Sequence, residues 1–244
     1  TKNLSKFLNY TYLNIDINNY SSVLDLFKNY EFDLIIHFAA ESHVDNSIID
    51  PSVFAKTNVL GTLNLLQAFK TFKTFKNKLF YHVSTDEVYG STVNGSFNES
   101  SNFDPSSPYS ASKASSDHFV KAFFKTYNLP VIVSNCSNNY GPWQHKEKLI
   151  PVVVSSIIQN KRIPVYGKGL NVRDWIHVED HISAINFLIK KGVIGESYCI
   201  GSNNELSNIE LIKKICKISD KLLNKDSNSF DLVEFVEDRL GHDI

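Results

Sequence analysis

Three short apolar runs alternate with two longer stretches of helical periodicity, and that rhythm limits the possible folds more than any other feature of the chain. The runs are residues 33–40 (DLIIHFAA), 79–83 (LFYHV) and 129–133 (LPVIV). The helical stretches cover residues 52–70 and 109–127. Brief apolar runs bounded by polar residues suit buried strands, and the longer periodic segments suit amphipathic helices. Strand–helix–strand alternation argues for a parallel sheet, because parallel neighbours need a crossover between them. The expected fold class is therefore α/β. DLIIHFAA suits a strand buried on both faces. In the first helix Val53, Phe54, Val59, Leu60, Leu63 and Leu66 are apolar; in the second, Ala111, Phe119, Ala122 and Phe123 form the expected buried stripe. Residues 11–17 (TYLNIDI) read as a weaker strand, with a helical pattern after it around Val23, Leu24, Leu26 and Phe27. ESHVDNSIIDP reads as a polar loop.

After Gly141 the rhythm changes. Residues 148–161 read as a helix with Pro151 in its first turn. Loop and short strand follow, then a helix over 182–191, a strand over 198–200 and a helix over 208–218. Two lobes are expected, residues 1–144 and 145–244, with segments of the second returning to the first. The 244 residues carry a net charge of −1, so no basic field points to nucleic acid. The chain shows no apolar run of membrane-spanning length and no signal-peptide pattern. Cys136, Cys199 and Cys216 lack C-x-x-C spacing and read as buried, inert thiols in a reducing compartment. The expected location is cytoplasmic, with neither nucleic acid nor membrane as partner.

The chemistry gathers between Lys78 and Lys113. Ser84, Thr85, Asp86 and Glu87 follow the second strand at its carboxyl end, where open α/β sheets bind ligands. Tyr109 and Lys113 are four apart at a helix start, on one face. Tyr-x-x-x-Lys alone is a weak signal, since many amphipathic helices carry such a pair, and a polar STDE loop is equally ordinary. Together they supply a hydroxyl, two carboxyls, a phenol and an ammonium, a set able to move protons and steady an oxyanion. His177 and His181 have zinc-like spacing, but the sequence is HVEDH rather than H-E-x-x-H. A polar helix start with Glu179 and Asp180 in its first turn is the better reading, and no metal is expected.

HFAAESHVD, HVSTDEVYG, PYSASK, SNNYGPWQHKEKLIP, VRDWIHVEDH and DRLGHD occur in that order. The chain thereby resembles the dTDP-glucose 4,6-dehydratases of the extended short-chain dehydrogenase/reductase family. STDEVYG is the discriminating block, because simple epimerases need no elimination chemistry. The resemblance implies a Rossmann-like doubly wound sheet with a smaller, interleaved substrate lobe. It implies loss of water from a nucleoside-diphosphate glucose in deoxysugar biosynthesis, with NAD recycled internally. It also implies a homodimer packed through the helices near 52–70 and 109–127.

By the same resemblance Tyr109 takes the 4-OH proton, aided by Lys113 and the cationic nicotinamide, and Thr85 bonds the C4 oxygen. Glu87 removes the C5 proton, and Asp86 as an acid protonates the departing C6 oxygen. Asp16, Ile17, Phe38, Ala39, Ala40, Glu41, Ser42, Thr57 and Asn139, with Tyr109 and Lys113, correspond to cofactor contacts. Ser42, Thr85 and Asn138 correspond to sugar and phosphate contacts, and Lys148 and Leu149 lie beside the diphosphate. Pro164, Val165 and Tyr166 form the nucleobase wall. Arg173, Asn208, Arg239 and His242 form the far clamp, with Asp238 and Gly241 in the same block. None of the 10 glycines precedes Gly61, so the family's glycine-rich phosphate turn is not among these residues. The expectation is a piece of a longer chain lacking that turn and the family's C-terminal end. A UDP-sugar 4,6-dehydratase, a 4-epimerase, or a non-catalytic binding module on the same scaffold are the alternatives.

Overall fold

Each of the three apolar runs contributes a strand, and the strands lie side by side in parallel. The structure, a computed structural model, describes residue 7, residues 9–92 and residues 95–238. In chain order come α1 (Tyr20–Asn29), β1 (Leu34–His37), α2 (Val44–Ile49), α3 (Pro51–Phe54), a π-helical segment (Ala55–Gly61) and α4 (Thr62–Phe69). Then follow β2 (Leu79–Thr85), a three-ten turn (Asp86–Tyr89), α5 (Pro108–Tyr127), β3 (Val131–Cys136) and β4 (Asn138–Tyr140). The rest is α6 (Leu149–Gln159), β5 (Ile163–Tyr166), β6 (Val172–His177), α7 (Val178–Lys191), β7 (Ser197–Ile200), β8 (Glu205–Ser207), α8 (Asn208–Leu223) and β9 (Val233–Val236). The main sheet has the order β1-β2-β3-β7, all parallel. Smaller sheets pair β4 with β6 and β8, and β5 with β9. β7 comes from the second half of the chain yet completes the main sheet.

Alternation along β2 and β3 builds a core on each face. Phe80, Val131 and Val133 pack with Phe27, Leu66, Phe69, Val120 and Phe123 beneath α1, α4 and α5. Tyr81 and Ile132 point the other way, against Ile176, Ile185, Leu188 and Ile200. A third cluster, with Val153, Ile157, Ile163, Val165 and Ile212, joins α6, α8 and β5. α5 starts on a capping box between Ser107 and Ser110 with Pro108 in its first turn, and stops at Asn128, whose φ of 56° lies in the left-handed region.

Several local expectations are corrected. Residues 11–17 form no strand: they enter no ladder with β1, and the Asn64 side-chain amide instead holds the carbonyls of Ile17 and Asn18. β1 is the outer strand of the described sheet, so Leu34 and Ile36 stay exposed rather than buried on both faces. The polar loop around residue 45 is helical, because His43 and Asp50 cap two short consecutive helices. The buried face of α5 is also not the apolar stripe. Ala111, Phe119 and Ala122 are exposed, while Ser112, Lys113, Ser116 and Asp117 are buried beside Phe123. That face lies on the strand ends, where buried polar partners await it. Of the thiols, only Cys216 is fully buried; Cys136 and Cys199 are partly exposed, and all three are free. Among the described residues no helix is long and apolar enough to cross a membrane.

Candidate active site

β2 ends at Thr85, whose hydroxyl accepts the Glu87 N–H at 3.3 Å and caps the turn that carries Asp86 and Glu87. α5 is aimed at the same strand ends, so its first turns bring Tyr109 and Lys113 there. These residues line a cavity of about 450 Å³ together with Phe38, Ala40, Ser42, Asn138, Asn139 and Lys148. A second cavity of about 300 Å³ adjoins it and shares Ser42, Glu87, Asn138 and Lys148. Leu149, Pro164, Val165, Tyr166, Arg173 and Asn208 line this second space. Loops from both halves of the chain are tied across it, since Lys148 Nζ donates to the Ser42 carbonyl at 2.8 Å.

Not every expected residue reaches the cavities. Ala39 and Glu41 lie on the wall loop without lining either space, and Glu41 is held by its backbone, which the Asn58 side chain bonds at both N–H and carbonyl. Asp16, Ile17 and Thr57 form a separate group: Asp16 Oδ1 accepts the Asn18 N–H, and Asn18 Nδ2 donates to Thr57. Gly61 lets Ile17 approach there, because a Cβ would stand 2.6 Å from its Cδ1. Asp238 sits against Gly167 and lines neither cavity. Arg239, Gly241 and His242 lie outside the described residues.

Burial pushes the Asp86 carboxyl up to about 6, against the pull of Arg173 and of the Thr85 hydrogen bond. Burial, then Glu87 and Cys136, push the Tyr109 phenol well above its usual range, while the Thr85 hydroxyl draws it down. Lys113 Nζ donates to the Val83 carbonyl at 2.9 Å, and burial lowers its pKa against the opposing charge of Asp117. The Cys136 thiol, raised to about 12 chiefly by burial, stays protonated and donates to the Ser84 carbonyl.

Beneath the site is a polar layer that sequence reading missed. Asp117 continues the Tyr109–Lys113 face at the next helical step and is fully buried. Its Oδ1 lies 3.1 Å from His82 Nε2, and its Oδ2 accepts from Asn135 Nδ2 at 2.9 Å. The same Asn135 amide donates to the Thr85 carbonyl at 3.2 Å. Burial lowers the His82 pKa, so the imidazole is neutral. Spacing from Tyr109 could have pointed to Asp117; nothing local pointed to Asn135. His177 caps α7, and His181 Nδ1 meets Asn139 Oδ1 at 2.8 Å, which orients that cavity asparagine.

Residues 2–243 match the family model described as GDP-mannose 4,6 dehydratase. A probable dTDP-glucose 4,6-dehydratase of Sinorhizobium fredii is 47% identical over 242 residues, 96% of this chain and 69% of that one. The chain belongs to the dTDP-glucose 4,6-dehydratase family. Solved structures from that family superpose closely. The dTDP-glucose 4,6-dehydratase of Streptomyces venezuelae, crystallised with NAD, has a TM-score of 0.90 at 42% identity, covering 99% of this chain and 71% of that one. Its Bacillus anthracis counterpart, in complex with NAD, has a TM-score of 0.85 at 43% identity with the same coverage. Membership in the dTDP-glucose 4,6-dehydratase family also accounts for the parallel sheet.

Proposed function

We propose that the protein dehydrates dTDP-glucose to dTDP-4-keto-6-deoxyglucose, using NAD. The observation that carries this reading is the Asp86–Glu87 pair on the turn after β2, facing Tyr109 and Lys113 across one cavity. A 4-epimerase needs the phenol and lysine but has no use for a carboxyl held up to about 6 beside a second carboxyl. The adjoining cavity, with Lys148 and Arg173 among its lining and Tyr166 at one wall, suits a diphosphate followed by a base. The dTDP-glucose 4,6-dehydratase activity of the relatives and the NAD in two solved neighbours support the same assignment.

The residues present fit the redox end of the cofactor. Tyr109, Lys113 and Asn139 line the larger cavity, and Ser84 Oγ beside them has no hydrogen-bond partner within the described structure. NAD, when bound, supplies the acceptor that makes C4 a ketone and later returns the hydride to C6. Tyr109 as phenolate takes the 4-OH proton, and Thr85 holds the C4 oxygen. Glu87 removes the C5 proton once the C4 carbonyl acidifies it. Asp86 gives its proton to the C6 oxygen, which leaves as water. Incubation with dTDP-glucose and analysis by NMR tests the reading: a 4-keto-6-deoxy sugar is expected, and an epimerised sugar or unchanged substrate would refute it.

The pH dependence follows from the two proton sites. Productive chemistry needs Asp86 protonated and Tyr109 ionised, so the pair must hold one proton between them, and its apparent values belong to both groups. Below about 6 a second proton occupies the pair and blocks the phenolate. Values of kcat/KM are therefore expected to rise with pH up to about 6, then level off, and to fall only where the last proton leaves. In Asp86→Asn the rising limb should move upward, since the phenol alone then titrates. A wild-type profile that already falls from about 6 upward would contradict the assignment.

We also infer a homodimer. Val53, Leu60 and Phe119 are large apolar side chains exposed on α3, the π-helical segment and α5, which pack together. Exposed apolar side chains grouped on packed helices suit a second copy. Sedimentation should give twice the chain mass, and Leu60→Asp with Phe119→Asp should give the single mass. A wild-type monomer at micromolar concentration would end this reading.

A further inference from the structure

The dehydration proposed above, on which this inference rests, draws its reactive groups from two separate elements. Tyr109 and Lys113 belong to α5, and Asp86 and Glu87 to the turn after β2. Oxidation at C4 uses the first pair, and loss of water across C5 and C6 uses the second. The sugar atoms concerned are bonded neighbours, so turn and helix must be held in one register. Misplacing a reacting group by about 1 Å is enough to cost on the order of 10²-fold in rate.

Pairing of β2 with β3 ends at Thr85, opposite Cys136, so Asp86 and Glu87 lie beyond the ladder. Beneath the strand end, Asn135 Nδ2 donates to the Thr85 carbonyl at 3.2 Å. That carbonyl and the Asp86 N–H share one rigid peptide plane, so fixing the carbonyl fixes the direction in which the turn leaves the strand. The same nitrogen donates to Asp117 Oδ2 at 2.9 Å. Asp117 stands one helical step beyond Lys113 and two beyond Tyr109, on the buried face of α5. Two hydrogen bonds therefore join the helix that carries the phenol to the peptide that launches the carboxyls.

The carboxylate gives this link its direction. An amide can present its oxygen or its nitrogen, and its neighbours decide which. A carboxylate only accepts, as does the Thr85 carbonyl, so both require the nitrogen. Turned over, the amide would set its oxygen against two acceptors. Asn135 Oδ1 is instead buried with no hydrogen-bond partner within the described structure, an arrangement that costs free energy. Asn135 and Asp117 are buried, so bulk water does not compete for either bond. His82 Nε2 lies 3.1 Å from the other carboxylate oxygen, Asp117 Oδ1, and Lys113 supplies charge of opposite sign. A pair serving packing alone has no need of these groups, because apolar partners of the same shape can be nearly neutral in stability.

We propose that Asp117 and Asn135 are positioning residues that hold the Asp86–Glu87 turn in register with Tyr109 for the elimination step. Neither lines either cavity, so both act through the Thr85 carbonyl. Thr85 stays paired in the ladder when this link is lost, whereas the turn beyond it loses its anchor. Elimination is therefore the step that depends on the pair, and oxidation at C4 depends on it far less.

Asn135→Ala removes the amide. Asp117→Leu keeps the shape but takes away the acceptor that orients the amide. Asp117→Asn keeps an acceptor, since its amide oxygen can take the Asn135 bond while neutral His82 accepts in its other tautomer. Each enzyme, loaded with NAD, is mixed with dTDP-glucose in deuterated water. Reduced-cofactor absorbance reads oxidation, and deuterium at C5 together with product reads elimination. In Asn135→Ala and Asp117→Leu, elimination should fall by about 10²-fold. Oxidation should fall far less, so reduced cofactor accumulates beyond its level in wild type. Asp117→Asn should divide its flux as wild type does. Equal losses in both steps, the mark of a role in stability alone, would overturn the proposal. So would unchanged elimination in Asn135→Ala or Asp117→Leu, or an Asp117→Asn enzyme that behaves as Asp117→Leu does. If Asn135→Ala does not fold, Asp117→Leu decides. Failure of both to fold would reduce the pair to a fold element and overturn the proposal as well. Failure of wild type to form the 4-keto-6-deoxy product would instead strike the dehydratase reading itself.

Discussion

Tyr109→Phe is expected to lower turnover of dTDP-glucose by about 10²–10⁴-fold, the usual loss when one acid–base group is removed. The ring should stay in place. Tyr109 is nearly buried, the Phe54 ring meets it edge-on at 6.3 Å, and its backbone carbonyl accepts from Ser112 Oγ at 2.7 Å. Only the hydroxyl is lost, and with it the proposed acceptor for the 4-OH proton. Thermal stability should therefore change little while oxidation at C4 nearly stops, so reduced cofactor should not accumulate on mixing with substrate. Turnover and the reduced-cofactor absorbance measured on one preparation check both points. A phenylalanine variant with wild-type turnover would mean that a group other than Tyr109 takes the proton.

Glu87→Gln should separate dehydration from oxidation. The amide is nearly isosteric but cannot accept the C5 proton. Oxidation at C4 should proceed, and reduced-cofactor absorbance should appear and persist. Exchange of the C5 hydrogen with deuterated water should slow by about 10²–10⁴-fold, and product formation with it. Asp86→Asn should differ. Glu87 remains, so C5 exchange survives better than water loss, while the acid for the C6 oxygen is gone. Burial pushes the Asp86 carboxyl up to about 6, which favours its acid form for that step. Stopped-flow absorbance paired with deuterium incorporation at C5 reads both variants. Normal C5 exchange and product formation in Glu87→Gln would remove Glu87 from the chemistry and reopen the epimerase reading.

The chain by itself determined the strand–helix rhythm and the position of the reactive groups at a strand end. Both are encoded within contiguous residues. Periodicity marks an element wherever it lies, and the three residues after Ser84 stay beside one another in any fold. The i, i+4 spacing of Tyr109 and Lys113 likewise placed them on one helix face without reference to the rest of the molecule. Tertiary structure decided what depends on distant partners. α5 buries Ser112, Ser116 and Asp117 rather than Ala111, Phe119 and Ala122, because His82 and Asn135 from two strands complete its polar face. Residues 11–17 read as a strand but lack a ladder, and a strand without a neighbour has no bonds to hold it. The acidity of Asp86 arises the same way. A carboxyl is ordinary in sequence and becomes a poised acid only when burial removes its water and Arg173, 87 positions on (173 − 86), restores part of the charge stabilisation.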